Sequence, residues 1–281
     1  MNTLKTFFLL MVLTGLLLLV GGIIGGEAGI IIALVFALGM NFFAYWFSDR
    51  IALAMTHARP ITDQEDPELY HLVGDQARLA GLPMPKVYEI QSDSPNAFAT
   101  GRNPKHATVA VTTGIRRILT REELGAVLAH EMAHVGNRDT LIMTVVATIA
   151  GAISMLAMIA QFSAIFGGMG GRERGGNIIG LLVVAIVMPI AATLIRLAIS
   201  RAREFQADAT GARTSGNPEA LARALEKLEM GAQARPMKVA EAASHLFIVN
   251  PLRGGGISRL FSTHPPTGER VRRLREMRSS F

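Results

Sequence analysis

Hydrophobic and polar positions along this chain follow two regimes. Four stretches are almost purely apolar: residues 3–26, with no charge after Lys5, 28–47, 140–166, and 177–200, whose single charge is Arg196. Each reaches or exceeds the roughly 20 residues that a helix needs to cross a bilayer. A signal peptide would also open on such a run. Here no small-residue cleavage site follows and a second apolar run begins at once, so the first run reads as an anchor. The pattern predicts two membrane hairpins, residues 1–48 and 139–200.

The remaining segments, 49–138 and 201–281, mix polar and apolar positions as a folded domain does. In "ITDQEDPELYHLVGDQARLAGL" acidic residues lead, and Leu69, Leu72, Val73, Ala77 and Leu79 then recur near helical spacing. "KVYEI", "NAFAT" and "ATVAVTT" have strand character and are separated by turn-rich "QSDSP" and "GRNPKH". A helix follows from "TREELGAVLAHEMAHV", where Thr120 and Glu123 form a capping-box signature. The second segment predicts helices over 201–212 and 217–230, a Gly-rich loop "RGGGISRLFSTHPP" and a last basic helix, "GERVRRLREM". No internal repeat is present. The expected fold class is a mainly α integral membrane protein, with four transmembrane helices and an α+β domain split between the two polar segments around a small sheet.

Charge gives the orientation. Of 28 Lys and Arg, Lys5, the ten between Arg50 and Arg138 and the fourteen from Arg201 onward fall on one side if there are four spans. The other side carries only Glu27 and the loop "GGMGGRERGGN". This asymmetry predicts cytoplasmic termini and a cytoplasmic polar domain. Arg196 lies about one turn from the cytoplasmic end of its run, where it can snorkel. The net charge of +6 fits basic loops facing anionic headgroups, so a nucleic-acid partner is not expected. The absence of cysteine excludes disulfides, thiolate metal sites and a cysteine nucleophile.

"AHEMAH", residues 129–134, carries the candidate chemistry. Positions four apart lie on one helix face about one turn apart, so His130 and His134 can each turn a ring nitrogen to one ion. Glu131 is rotated by about 100° and can reach a water on that ion. Glu131 also falls within the stripe of Leu124, Val127, Leu128 and Val135, where desolvation would raise its pKa toward the range of a general base. A bare His-Glu-x-x-His match also arises by chance, and zinc needs a third ligand. "SRAREFQADATGAR" places Glu204 and Asp208 on one helical face; they could instead form a solvated face paired with Arg201 and Arg203. Topology favours the site. The third apolar run starts within six residues of His134 and the fourth ends within four of Glu204. A hairpin between them brings both motifs to the same membrane surface, which groups His130, His134 and Glu204 as a zinc site, one ion per chain.

Over essentially its full length, the chain resembles the HtpX-type membrane metalloproteases, relatives of the CAAX prenyl proteases. The resemblance rests on a hydrophobic hairpin, "SPNAFATG", "LAHEMAHVGNRD", a second hairpin, "SRAREFQAD" and "FSTHPPTGERVRRL". It implies a zincin-like catalytic domain, with zinc on His130, His134 and Glu204 and Glu131 as the base. Gly268 departs from the residue, often acidic, found in relatives. The resemblance also implies substrates that are damaged or misassembled membrane proteins, in a bacterial-type inner membrane and as part of a stress response. Asn96, Ala97, Phe98 and Ala99 resemble the family's edge strand, which would bind an extended peptide by β-addition; they could equally be an ordinary strand. Asp208, one turn after Glu204, could accept a hydrogen bond from a ligand histidine. Asp139 could do the same or cap a helix at the interface. His264 could donate to an oxyanion or be a surface loop residue. His57, His71, His106 and His245 have no partner at ligand spacing.

The function expected is that of a membrane zinc endopeptidase. A prenyl-protein peptidase with the same chemistry is disfavoured by four spans rather than a larger helical chamber. A membrane scaffold or transporter would leave Glu131 unexplained on its apolar stripe.

Overall fold

The structure, a computed structural model, describes residues 2–143, 145, 201–237, 239, 241–251 and 265–278. The apolar runs expected over 140–166 and 177–200 lie outside these residues, apart from 140–143 and 145.

Helix α1 (Asn2–Trp46) breaks at Gly26, whose φ of 56° with ψ of −138° is open to glycine and strained for other residues. The two halves lie side by side. Asn41 Nδ2 donates to Thr14 Oγ1 at 2.8 Å, and Ile30 packs against the backbone of Gly22. Its second half, Gly26–Phe43, is long and apolar enough to cross a membrane, by length and composition, with a mean hydropathy of 1.8. Its apolar side chains point outward, Ile32 being 70% and Val35 68% exposed. That is a costly surface to hold in water but not in lipid.

Helix α2 (Ser48–Met55) leads into a four-stranded sheet of order β1-β2-β4-β3, formed by β1 (Arg59–Pro60), β2 (Lys86–Ile90), β3 (Ala97–Thr100) and β4 (Thr108–Thr112). β2 and β4 run parallel, and the other two pairings are antiparallel. Side chains alternate between the faces. Val109, Val111, Ala97 and Ala99 enter one core with helix α3 (Pro67–Leu79) and helix α5 (Arg121–Gly136). Ala110 and Phe98 enter another with Ala52, Leu53, Met143, Leu246 and Phe247. Helix α4 (Thr113–Ile118) joins β4 to α5.

Helix α6 (Arg201–Ser215), helix α7 (Pro218–Ala234) and helix α8 (Thr267–Met277) complete the domain. The helix expected to stop at Met230 continues through Gly231 to Ala234. Gly231 is a point of close approach rather than a terminator. A Cβ there would lie 2.4 Å from Pro95 Cγ. β3 is at a sheet edge yet buried along its whole length. Residues 246–249 lie against it: Ile248 N donates to Ala97 O at 3.0 Å, and Asn96 Nδ2 donates to Val249 O at 2.9 Å.

Candidate metal centre

α5 is buried from Glu123 to Val135, so its polar residues face protein rather than solvent. Its start is fixed by the capping box. Thr120 Oγ1 accepts from Glu123 N, and Glu123 Oε2 accepts from Thr120 N at 2.9 Å and from Lys227 Nζ at 2.7 Å. α6 crosses α5 at very short range through Gly211, where a Cβ would meet the backbone nitrogen of His130 at 2.7 Å. That approach carries Glu204, one face of α6, to the two histidines.

The two Nε2 atoms of His130 and His134 face each other at 3.2 Å. Glu204 Oε1 lies 3.5 Å from His134 Nε2, and Glu204 Oε2 lies 3.8 Å from His130 Nε2. One ligand atom from each of the three residues fits within 4.8 Å of the others. Two nitrogens bound at about 2.0–2.1 Å in tetrahedral geometry sit about 3.3 Å apart, so this spacing suits zinc or a similar ion. Glu131 lines the same cavity, as do Ala99, Met143, Leu246, Phe247 and Ile248. The cavity holds about 10 Å³, room for one water- or ion-sized occupant.

Each histidine has a carboxylate behind it, on the ring nitrogen facing away from the centre. Asp208 Oδ1 lies 3.0 Å from His130 Nδ1, close but off the ideal hydrogen-bond line, and Asp139 Oδ2 lies 3.2 Å from His134 Nδ1. Each carboxylate also has an arginine. Arg270 forks onto Asp208 at 2.8 and 2.7 Å, while Arg203 approaches Asp139 at 3.8 Å. Asp208 is therefore buried against Arg270 and not in a solvated pairing with Arg201 and Arg203.

The electrostatics favour a cation. The carboxyl groups of Glu131, Asp139, Glu204 and Asp208 are all buried around the two histidines, with Arg203 and Arg270 as the nearby arginines, a donor set rich in oxygen and imidazole nitrogen that suits a divalent ion. Burial raises the pKa of Glu131 against the opposing pull of His130 and His134. For Asp208 burial acts upward as well, but the Arg270 charge and hydrogen bonds outweigh it and hold the carboxyl at about 2. Of the edge-strand residues, Ala99 lines the cavity, and its backbone offsets part of the upward effect of burial on Glu131. Asn96, Ala97 and Phe98 contact residues 247–249. His264 lies outside the described residues. Sequence reasoning missed Arg270, Gly211 and the approach of Arg203 to Asp139 rather than to Glu204 or Asp208; the motif spacing carries no signal for any of them.

Residues 63–278 match the family model described as peptidase family M48. The chain belongs to peptidase family M48. It is a metalloprotease of that family and is similar to "Protease HtpX homolog" proteins along nearly its whole length. The Persephonella marina relative is 57% identical over 99% of this chain and 98% of its own. The Syntrophobacter fumaroxidans relative is 53% identical over 97% of this chain and 98% of its own. The fold is also similar to the crystal structure of S. mikatae Ste24p, with a TM-score of 0.54 and 20% identity. That likeness covers 97% of this chain but 65% of Ste24p, so this chain spans about two thirds of that protein.

Proposed function

We propose that the chain is a zinc endopeptidase held in a bacterial-type inner membrane, cutting damaged or misassembled membrane proteins at the cytoplasmic face. The observation that carries this is the convergence of His130, His134 and Glu204 on one point, with Glu131 lining the same cavity. The membrane reading is supported by the apolar helix Gly26–Phe43, and the orientation by the charge asymmetry.

In this reading His130, His134 and Glu204 hold one zinc ion, which would polarise the scissile carbonyl and acidify water. Glu131 takes a proton from the attacking water and passes it to the leaving amine, a role suited by its raised pKa. Asp208 and Asp139 hold the ligand histidines in orientation. His264 donates to the developing oxyanion. Asn96, Ala97, Phe98 and Ala99 supply a backbone edge for an extended peptide, whose hydrogen bonds give affinity with little side-chain selectivity. Residues 246–249 now occupy part of that edge and roof the cavity, so peptide binding requires them to move aside.

Metal analysis of the detergent-purified chain tests the reading. The parent should carry about one zinc per chain, and Glu204→Ala should lose it, because two histidines leave the ion under-coordinated. Full zinc and full activity in Glu204→Ala would remove Glu204 from the ligand set.

A further inference from the structure

Arg270 stands apart from the other arginines of α8. Arg272, Arg273 and Arg275 have about half of their side chains exposed and pair with surface glutamates, whereas Arg270 is 1% exposed. Three of its nitrogens are committed. Nε and Nη2 donate to the two oxygens of Asp208 at 2.8 and 2.7 Å, and Nη1 donates to Ile248 O at 3.0 Å. Nη2 also lies 3.7 Å from Glu204 Oε2. One guanidinium therefore stands behind two of the three side chains that converge on the metal position. Its third bond ties down the segment that roofs the cavity.

We infer that Arg270 is a positioning residue for the metal centre: through Asp208 it keeps His130 turned so that Nε2 faces the ion. The inference rests on the metal-site reading above. The physical argument is geometric. A carboxylate held by one point charge can rotate, whereas a bidentate fork fixes both its oxygens and its plane. Asp208 Oδ1, the oxygen bound by Nη2, is also the one 3.0 Å from His130 Nδ1. The plane set by Arg270 is thus passed to the imidazole. A lysine would keep the charge and lose the plane. An arginine that merely stapled α8 to α6 would have no bearing on metal affinity once the fold was intact.

The full chain in detergent distinguishes these roles through Arg270→Lys, Arg270→Gln and the double variant Arg270→Gln/Asp208→Asn. The double variant removes both buried charges together, so neither is left unpaired. The measurements are zinc affinity by competition with a chromophoric chelator and the absorption bands of the cobalt-substituted protein. Both neutral variants should bind zinc roughly 10- to 100-fold more weakly, the loss typical of removing the support behind a ligand histidine. Arg270→Lys should fall between them and the parent, and the cobalt bands should change in all three. Parent affinity with the parent cobalt spectrum in the double variant overturns the inference. Should the neutral variants fail to fold, the same parent-like result in Arg270→Lys overturns it. A parent chain that binds no zinc fails the metal-site reading itself, a different outcome from unchanged affinity in the variants.

Discussion

Gly211 on α6 packs directly against the backbone of His130 on α5: a Cβ would lie 2.7 Å from His130 N and 2.8 Å from its Cα. No flexible side chain is available there to move aside, so the helices themselves must separate. Since α6 also carries Glu204 and Asp208, separation would pull both away from the histidines. Gly211→Ala should cost about 1–3 kcal/mol through overpacking and weaken metal binding as well. Gly268, at the start of α8, is the control. A Cβ there meets nothing within 4 Å, and alanine should be neutral or stabilise by up to about 1 kcal/mol. Thermal unfolding in detergent with and without zinc checks both. A Gly211→Ala protein as stable and as zinc-competent as the parent would refute the packing argument.

What was legible in the sequence, and what was not, divides by the range of the interactions. The capping box of Thr120 and Glu123 is local and forms as its spacing predicts. "KVYEI", "NAFAT" and "ATVAVTT" are short runs of strand character set between turn-rich segments and become β2, β3 and β4. The His130–His134 spacing brings two ring nitrogens together because four residues make about one helical turn. Arg270 was illegible because "GERVRRLREM" reads as a basic helix in which nothing sets Arg270 apart from Arg272, Arg273 and Arg275. Its burial depends on Asp208, 62 residues earlier in the chain. β1 is two residues long and exists only through pairing with β2.

His134 should make metal binding depend on pH. Burial alone would lower its pKa, but the hydrogen bond to Asp139 and the charges of Glu204 and Glu131 raise it from 6.5 to about 9 in the metal-free chain. At neutral pH the ring is then protonated, and a metal must displace that proton. Zinc affinity should rise by up to about tenfold per pH unit from neutrality toward pH 9 and flatten above it. The sign is opposite for the metal-free fold. A raised pKa contributes stability that is fully present below 6.5 and lost as pH climbs through about 9. Chelated protein should therefore lose stability over that window, on the order of a few kcal/mol. Competition titrations and unfolding curves at several pH values test both trends. Zinc affinity that stays flat from pH 7 upward would show that His134 is already neutral.

The proposed membrane arrangement makes its own prediction. Reporter fusions at Gly171 should report the non-cytoplasmic side, and fusions at Phe281 the cytoplasm. Asp139 and Arg203, which flank the apolar runs 140–166 and 177–200, lie 3.8 Å apart, as the ends of a hairpin would. A cytoplasmic report at Gly171 would leave that proximity without a hairpin to explain it.

Glu131→Gln separates chemistry from metal binding. The substitution keeps shape and volume and removes the carboxylate that would accept a proton. Glu131 lines the cavity beside the three converging side chains without being one of them, so the variant should hold zinc about as well as the parent. Peptidase activity should nonetheless drop by the roughly 10²–10⁴-fold expected for loss of a general base. Because the raised pKa of Glu131 comes mainly from burial, the parent's activity should also fall on acidification as the carboxylate protonates, a fall the Gln variant cannot show. Self-cleavage offers a simple readout. Purified parent should degrade slowly once zinc is supplied, whereas the Gln variant, and parent kept in chelator, should stay intact. Loss of zinc from the variant would make Glu131 a ligand and reassign its role. Zinc retained together with cleavage at the parent rate would leave the proposed mechanism without its base.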